Sequence, residues 1–139
     1  MLDPAPMDGN DPDTIHVAAD DHAVALATGF ARGFARRHRL DEDAAARLAI
    51  VIEELVTNLV EHGGAPGCPI DLALVRMAGV VDITILDSGT HFDPRDAVTS
   101  TLPPARGGGV GISLVLAWAT VTDYCQANGR NRLMLRLPA

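Results

Sequence analysis

Three polar residues recur at helical spacing in the first half of the chain. Asn58 lies four residues after Glu54, and His62 lies four residues after Asn58. A helix places all three on one stripe, with Asn58 and His62 near the core edge and Glu54 further towards solvent. An asparagine amide oxygen can bind Mg²⁺, and a glutamate can take a proton from a hydroxyl that attacks a phosphate. The alternative is a solvated helix flank with no chemical role.

The second motif is Asp87-Ser88-Gly89, which ends an apolar run and is followed by Phe92 and Asp93. An aspartate at a strand end can accept a hydrogen bond from an adenine amino group. A glycine two residues later allows the backbone to approach the ring. The same three residues also suit an ordinary turn.

The third motif is a glycine-rich run that precedes an apolar segment, Gly107-Gly108-Gly109-Val110-Gly111. Glycines at a helix start bring backbone N–H groups and the positive end of the helix dipole to a phosphate. The spacing does not match the Gly-x-Gly-x-x-Gly pattern of dinucleotide folds, and the parallel βαβ setting of that pattern is absent. A flexible hinge is the alternative.

Composition excludes several classes of nucleotide or cofactor protein. All eleven basic residues are arginine, and P-loop ATPases, pyridoxal enzymes and eukaryotic-type protein kinases each need a lysine. A net charge of −7 disfavours nucleic acid as the main partner. No apolar run approaches the length of a membrane span, and the N-terminus is acidic, so we expect a cytoplasmic protein with no membrane partner.

The elements that must position these motifs follow from periodicity and turn signals. A length of 139 residues suits one domain, and we expect a disordered leader over residues 1–12 followed by a domain over 13–139. Asp20-Asp21 is expected to cap a first helix that runs to about His38. Asp41 is expected to cap a second helix, which Gly63-Gly64 ends.

The remaining segments predict strands, a lid and one more helix. Residues 88–108 form a long Gly- and Pro-rich stretch, either a functional lid, which we favour, or a disordered segment. A helix is expected over residues 110–119. Strands are expected over residues 14–18, 70–77, 80–87, 121–127 and 132–137, with hairpins at Ala78-Gly79 and Asn128-Gly129. The predicted fold is α+β, a two-layer sandwich with about three helices on one face of a mixed, mainly antiparallel sheet.

Taken together, the order and separation of the motifs resemble the N, G1 and G2 boxes of the Bergerat ATP-binding superfamily, which includes gyrase, heat-shock chaperones, histidine kinases and mismatch-repair ATPases. The chain is most similar to the anti-sigma factor serine/threonine kinases, through Glu54, Asn58, His62, Phe92 and Asp93. The similarity spans about residues 14–137. The chain departs from the pattern after His62, at Gly63-Gly64, and after Gly89, at Thr90-His91.

The resemblance implies ATP and Mg²⁺ as cofactors and a role for each matching residue. Asn58 is the implied metal ligand, Glu54 the implied catalytic base and Asp87 the implied adenine contact. Arg106 is implied to stabilise charge at the terminal phosphate, with a solvated loop charge as the alternative. The implied nucleotide site also contains His62, Gly89, Phe92, Gly107, Gly108, Gly109, Val110 and Gly111.

The same resemblance implies a kinase that phosphorylates a serine or threonine of an antagonist (anti-anti-sigma) protein. Such a kinase holds a sigma factor or comparable regulator when unphosphorylated antagonist is scarce. A homodimer is possible. One alternative is an ATP-binding module that sequesters its partner without kinase activity. Another is the catalytic half of a histidine kinase, which ranks last because no dimerisation helices with a phospho-acceptor histidine precede the motifs.

Overall fold

The computed structural model describes residues 11–97 and 108–139, which form five strands and four helices. The predicted leader lies almost wholly outside these residues, as do residues 98–107 of the predicted lid. The elements, in chain order, are β1 (Asp13–Ala18), α1 (Ala23–Arg37), α2 (Glu42–His62), β2 (Pro69–Met77), β3 (Val80–Asp87), α3 (Pro94–Ala97), α4 (Gly108–Trp118), β4 (Thr120–Ala127) and β5 (Arg130–Pro138).

The strands form one sheet in the order β1-β2-β3-β5-β4, and every neighbouring pair is antiparallel. The α+β architecture is therefore confirmed, but the expectation of a mixed sheet was wrong. The physical reason lies in the connections. The pairs β2–β3 and β4–β5 are hairpins, and α1 and α2 return the chain so that Pro69 lies opposite Ala18.

The core lies between the helices and one face of the sheet. Along β3, buried and half-buried residues alternate, which is the period expected of a strand with one face against a helical layer. Helix α2 contributes a buried stripe at helical spacing, as its sequence predicts. The largest fully buried side chains include Phe34 of α1, Leu48 and Ile52 of α2, Ile83 and Ile85 of β3, and Leu135 and Leu137 of β5.

Helix α2 begins and ends as predicted. The Asp41 carboxylate accepts a hydrogen bond from the Ala44 N–H at 2.8 Å, and the helix stops at the Gly63 C-cap. The cap predicted for α1 was wrong. The Asp20 carboxylate accepts from the His22 N–H at 2.8 Å, which makes a turn ahead of the helix, and α1 begins at Ala23 without a side-chain cap.

Two further features concern the turns and the long connection after β3. Asn128 and Gly129 both have positive φ, 57° and 75°, which a two-residue hairpin turn of this hand requires.

Helix α3 was not predicted and lies within the stretch expected to be a lid. Among the described residues, no helix is long and apolar enough to cross a membrane.

Candidate functional site

A cleft opens between α2, the end of β3 and the start of α4, bounded on one side by β4 and β5. Its walls are mainly apolar, and four polar residues, Asn58, Asp87, Thr90 and Tyr124, also line it. This is the usual composition of a small-ligand pocket. The lining residues are Leu55, Asn58, Leu59, Ile85, Asp87, Thr90, Phe92, Pro94, Ile112, Tyr124 and Leu133.

Asp87 is the buried polar group of this cleft, with only 8% of its surface exposed. Its Oδ1 atom accepts hydrogen bonds from the Gly89 N–H at 2.8 Å and from the Asn131 side-chain amide at 3.0 Å. A buried carboxylate needs such donors to offset its desolvation. Both described hydrogen bonds use Oδ1, so Oδ2 is the oxygen from which a ligand group could be recognised.

Asn131 is a site residue that sequence reasoning missed. It lies on β5 directly opposite Asp87 and is 2% exposed. Its amide N–H₂ group donates both to Asp87 and, at 2.9 Å, to the Gly89 carbonyl. The one available signal was a polar residue next to the Asn-Gly turn at the start of a strand with alternating apolar positions.

Gly89 is required by a neighbouring backbone. A Cβ atom at Gly89 would lie 2.4 Å from the Gly63 carbonyl oxygen, and the adjacent Thr90 N–H donates to that oxygen at 2.7 Å. The close approach of the Gly63 carbonyl by itself explains a glycine here, without a ligand ring. The two departures from the family pattern, at Gly63-Gly64 and at Thr90-His91, therefore lie in segments that contact each other.

Glu54 and Gly111 bring the first and third motifs together. A Cβ atom at Gly111 would lie 1.9 Å from the Glu54 Oε2 atom, so the carboxylate rests against the first turn of α4. Glu54 is half-buried, although the helical stripe placed it further towards solvent than Asn58. Glu54 is more buried than the stripe predicts because α4 packs on α2. The contact of Arg47 with the Trp118 ring also contributes to this packing.

Asn58 lines the cleft one helical turn beyond Glu54. His62 is half-buried, lies 3.8 Å from Glu61 through Nε2 and is not among the residues that line the cleft. Gly89 instead lines a second, smaller pocket beside Ala19 and Cys68. Of the predicted stripe on α2, Asn58 lines the cleft, and Glu54 lies one helical turn away against α4.

Tyr124 of β4, also missed from the sequence, closes one side of the cleft. Its hydroxyl accepts from the Phe92 N–H at 2.9 Å and lies 3.2 Å from the His91 Nδ1 atom, while the two rings stack edge to face. Burial raises the pKa of the Tyr124 hydroxyl. These contacts fix the segment after Gly89 against the sheet.

Asp93 immediately precedes α3 and is not among the residues that line the cleft. Its carboxylate accepts from the Arg95 N–H at 3.0 Å and forms an ion pair with the Arg95 guanidinium at 2.6 Å. The hydrogen bond from that guanidinium holds the pKa of the Asp93 carboxyl below its usual value, against the opposing effect of partial burial. The two residues of the Phe-Asp pair thus have separate structural roles. Phe92 lines the cleft, whereas Asp93 binds Arg95.

Comparison with known proteins decides the family. Residues 17–137 match the family model described as the histidine kinase-like ATPase domain. The chain belongs to this family. The resemblance to the Bergerat ATP-binding fold, drawn from three short motifs, is confirmed, and membership implies ATP as the nucleotide.

One sequence relative of this histidine kinase-like ATPase domain is the serine/threonine-protein kinase BtrW of Bordetella bronchiseptica. The two are 27% identical over 129 residues, which cover 88% of this chain and 91% of BtrW. BtrW is thus similar over nearly its whole length, so the likeness extends beyond the three motifs.

Solved structures share the fold. The crystal structure of the RsbU and RsbW domains of a Mycobacterium tuberculosis protein matches with a TM-score of 0.62 and 19% identity over 91% of this chain; the chain spans only 32% of that structure. Histidine kinase AdeS of Acinetobacter baumannii matches with a TM-score of 0.51 and 12% identity over 92% of this chain and 68% of its own. At these identities the likeness shows the fold alone.

Part of the third motif lies outside the described residues. Arg106 and Gly107 precede the described start of α4, so their predicted roles have no structural account. Gly108, Gly109 and Val110 form the first residues of that helix. Ile112, in the first half of α4, lines the cleft, and Gly111 before it contacts Glu54.

The ATPase domain offers a partial donor set for a metal ion. Among residues 11–97 and 108–139, no three His, Cys, Asp or Glu side chains are close enough to hold a metal by themselves. Mg²⁺ usually takes only one or two protein ligands and completes its octahedron with phosphates and water. Asn58 at the cleft, with Glu54 one turn away, fits such an ion.

Proposed function

We propose that this chain is an Mg-ATP-dependent protein serine/threonine kinase that acts by partner switching. In this role it phosphorylates an antagonist protein, and it holds a sigma factor or comparable regulator while unphosphorylated antagonist is scarce. The 27% identity to the serine/threonine-protein kinase BtrW over most of both chains supports the kinase assignment. The family alone supports the coarser role of ATP binding.

The observation that carries the proposal is the convergence of three sequence motifs on one cleft. Asn58, Asp87 and Ile112, which follows the glycine-rich run, line it together, and beside it the Glu54 carboxylate touches Gly111 at the start of α4. A solvated helix flank, an isolated turn and a hinge would have no reason to meet. A nucleotide, which has a base at one end and phosphates at the other, needs all three.

The base end of the site is assigned to Asp87 and the apolar wall. The Oδ2 oxygen of Asp87, which accepts neither of the hydrogen bonds from Gly89 and Asn131, would accept one from the adenine amino group, while Leu55, Leu59 and Ile85 would pack on the ring. Phe92 is 38% exposed, although it borders the cleft, and its ring would be covered by a bound base. A partly exposed apolar ring beside a pocket suits such a role.

The phosphate end is assigned to Asn58, Glu54 and the start of α4. Asn58 would hold Mg²⁺, which when bound neutralises phosphate charge and orients the terminal phosphoryl group. The N–H groups in the first turn of α4 would favour an anion at this end of the site. Gly107 and Arg106, just before this helix, are proposed to complete the phosphate site.

Glu54 is proposed as the base. It would take the proton of the attacking serine or threonine hydroxyl as the hydroxyl oxygen bonds to the γ-phosphorus. The bond from that phosphorus to the bridging oxygen breaks, and ADP leaves with the electron pair. A module that only binds ATP has no need of this carboxylate, so Glu54 separates the two candidate functions.

The test is phosphotransfer from γ-labelled ATP to purified antagonist proteins of the anti-anti-sigma class. Glu54→Gln should lower the rate at least about 100-fold with ATP affinity nearly unchanged, because only proton transfer is lost. Asn58→Ala should lose the Mg²⁺ dependence of ATP affinity. Glu53→Gln is the matched control, since Glu53 is an exposed neighbour on the same helix.

The outcomes separate the alternatives. Tight ATP binding by the wild type without phosphotransfer to any antagonist would favour a sequestering module over a kinase. Equal rates for Glu54→Gln and Glu53→Gln would remove Glu54 as the base. Transfer of label to a histidine instead of a serine or threonine would favour a histidine kinase.

A further inference from the structure

We propose that Asn131 is a positioning residue for Asp87, and that its contact with Asp87 sets the preference of the cleft for a purine with an exocyclic amino group. This inference rests on the proposed nucleotide site and adds the residue that controls its base selectivity. Asn131 does not line the cleft. Its effect on a ligand is therefore exerted through the carboxylate that does.

The geometry constrains Asp87 from two sides. Asn131 and Asp87 are directly opposite each other in the β3–β5 register, and the Asn131 amide N–H₂ group donates to the Asp87 Oδ1 atom at 3.0 Å. The Gly89 N–H donates to the same oxygen at 2.8 Å. Two donors on one oxygen fix the rotation of the carboxylate and leave the other oxygen for a ligand.

The orientation of the Asn131 amide is itself determined. Its nitrogen is shared between Asp87 Oδ1 and the Gly89 carbonyl oxygen, both of which are acceptors. A rotated amide would place its own oxygen against these two acceptors, which is unfavourable. The residue therefore acts as a donor that joins the strand end to the turn after it.

Packing alone does not account for an asparagine at this position. Asn131 is 2% exposed, and its Oδ1 atom is buried with no hydrogen-bond partner among the described residues. A buried acceptor without a donor is unfavourable, whereas an aliphatic side chain of similar size would avoid the cost. The contribution of Asn131 is thus the hydrogen bonds it donates to Asp87 and Gly89.

The chemistry predicts which bases the cleft accepts. A fixed carboxylate oxygen accepts a hydrogen bond from the 6-amino group of adenine and repels the 6-oxo group of hypoxanthine. If the carboxylate rotates freely, it can turn away from an oxo group at little cost. Loss of Asn131 should therefore reduce discrimination more than it reduces binding of either nucleotide alone.

Calorimetry with non-hydrolysable triphosphates of adenosine and inosine tests this inference. We expect the wild type to prefer the adenine form, and Asn131→Leu to reduce the ratio of the two affinities by about tenfold. Asn131→Val is a second donor-free variant, used if the leucine variant does not fold. Gln126→Leu is the matched control, since Gln126 is an exposed amide opposite Asn131 on β4, and it should keep the wild-type ratio.

Each outcome bears on the inference. An equal loss of affinity for both nucleotides, with the ratio unchanged, would show a structural role only and overturn it. A wild type that binds both bases equally would also overturn it. A wild type that binds neither nucleotide would overturn the proposed function as well, whereas binding with an unchanged ratio in the Asn131 variant leaves the proposed function intact.

Discussion

At the level of single residues, the contact between Glu54 and Gly111 determines where the carboxylate of the proposed base lies. The carboxylate lies so close to the glycine that a Cβ atom would be 1.9 Å from Oε2. Glycine at this position therefore makes room for the proposed base. A methyl group added at Gly111 would meet only the end of the flexible Glu54 side chain. We therefore expect the Glu54 carboxylate to move while the fold persists.

Gly111→Ala should accordingly lower phosphotransfer at least about tenfold and change the free energy of unfolding by no more than about 1 kcal/mol. Gly29→Ala is the matched control, because Gly29 is also helical and a Cβ atom there would meet nothing within 4 Å. That variant should gain about 0.5–1 kcal/mol of stability and keep full activity. Kinase assays and urea denaturation measure both effects. Full activity in Gly111→Ala would contradict the role of Glu54.

Of the polar residues that line the cleft, the sequence motifs include Asn58 and Asp87 but not Thr90 or Tyr124, and they do not predict the contacts between motifs. Glu54 and Asn58 could be assigned to one helical stripe because a helix has a fixed period. The Glu54–Gly111 contact depends on how two helices pack, and no local pattern encodes that. Asn131 escaped notice because its partner Asp87 lies 44 residues away, and a lone asparagine near a turn looks like turn chemistry.

At the level of elements, the site depends on how the segment after β3 is held. At the start of this segment, the Thr90 N–H donates a hydrogen bond to the Gly63 carbonyl at the end of α2, at 2.7 Å. In the middle of the segment, the Phe92 N–H donates a hydrogen bond to the Tyr124 hydroxyl on β4, at 2.9 Å. These attachments place Asp87 and Phe92 on the same cleft.

Tyr124→Phe should loosen the middle attachment while keeping the ring. The Phe92 amide loses its acceptor, so its hydrogen exchange should accelerate about fivefold, in keeping with a lost bond of about 1 kcal/mol. The amide of Leu74 in the central part of β2 is the internal control and should exchange as in the wild type. Unchanged protection at Phe92 would show that the Tyr124 hydroxyl does not hold this segment.

Element prediction succeeded where short-range signals exist and failed where they do not. Asp41, Gly63 and the Asn128-Gly129 turn mark their boundaries through cap and turn chemistry that acts within a few residues. The start of α1 was misplaced because Asp20 makes a turn instead of a cap. Helix α3 has only four residues, too few for a periodic pattern, and the antiparallel pairing of all strands follows from tertiary connections.

For the molecule as a whole, polar side-chain contacts link the edge strand β1 to the rest of the sheet. Asp71 on β2 contacts the His16 Nδ1 atom at 2.6 Å and an Arg130 guanidinium nitrogen at 2.6 Å. Partial burial by itself raises the pKa of the Asp71 carboxyl, but the hydrogen bonds from Arg130 and His16 outweigh it and hold the pKa below its usual value. The network thus spans β1, β2 and β5.

This lowered pKa predicts a pH dependence of stability. The stabilisation is fully present above the unfolded-state pKa of about 3.9 and is lost as the pH falls through the lower folded-state value. Asp71→Asn should therefore cost about 1 kcal/mol at pH 7, and its difference from the wild type should shrink below about pH 4. Urea denaturation across pH measures it, with the exposed Asp21→Asn as a charge control. A difference that stays constant down to pH 2 would contradict the account.

The central claim is that one nucleotide contacts α2, the end of β3 and the start of α4 at once. Titration of the ¹⁵N-labelled protein with Mg²⁺ and a non-hydrolysable ATP analogue tests it directly. The account predicts that the amide signals of Asn58, Gly89 and Gly111 shift together and saturate with a single affinity. Absence of shifts, or shifts confined to the open face of the sheet around Asp82 and Arg136, would contradict it.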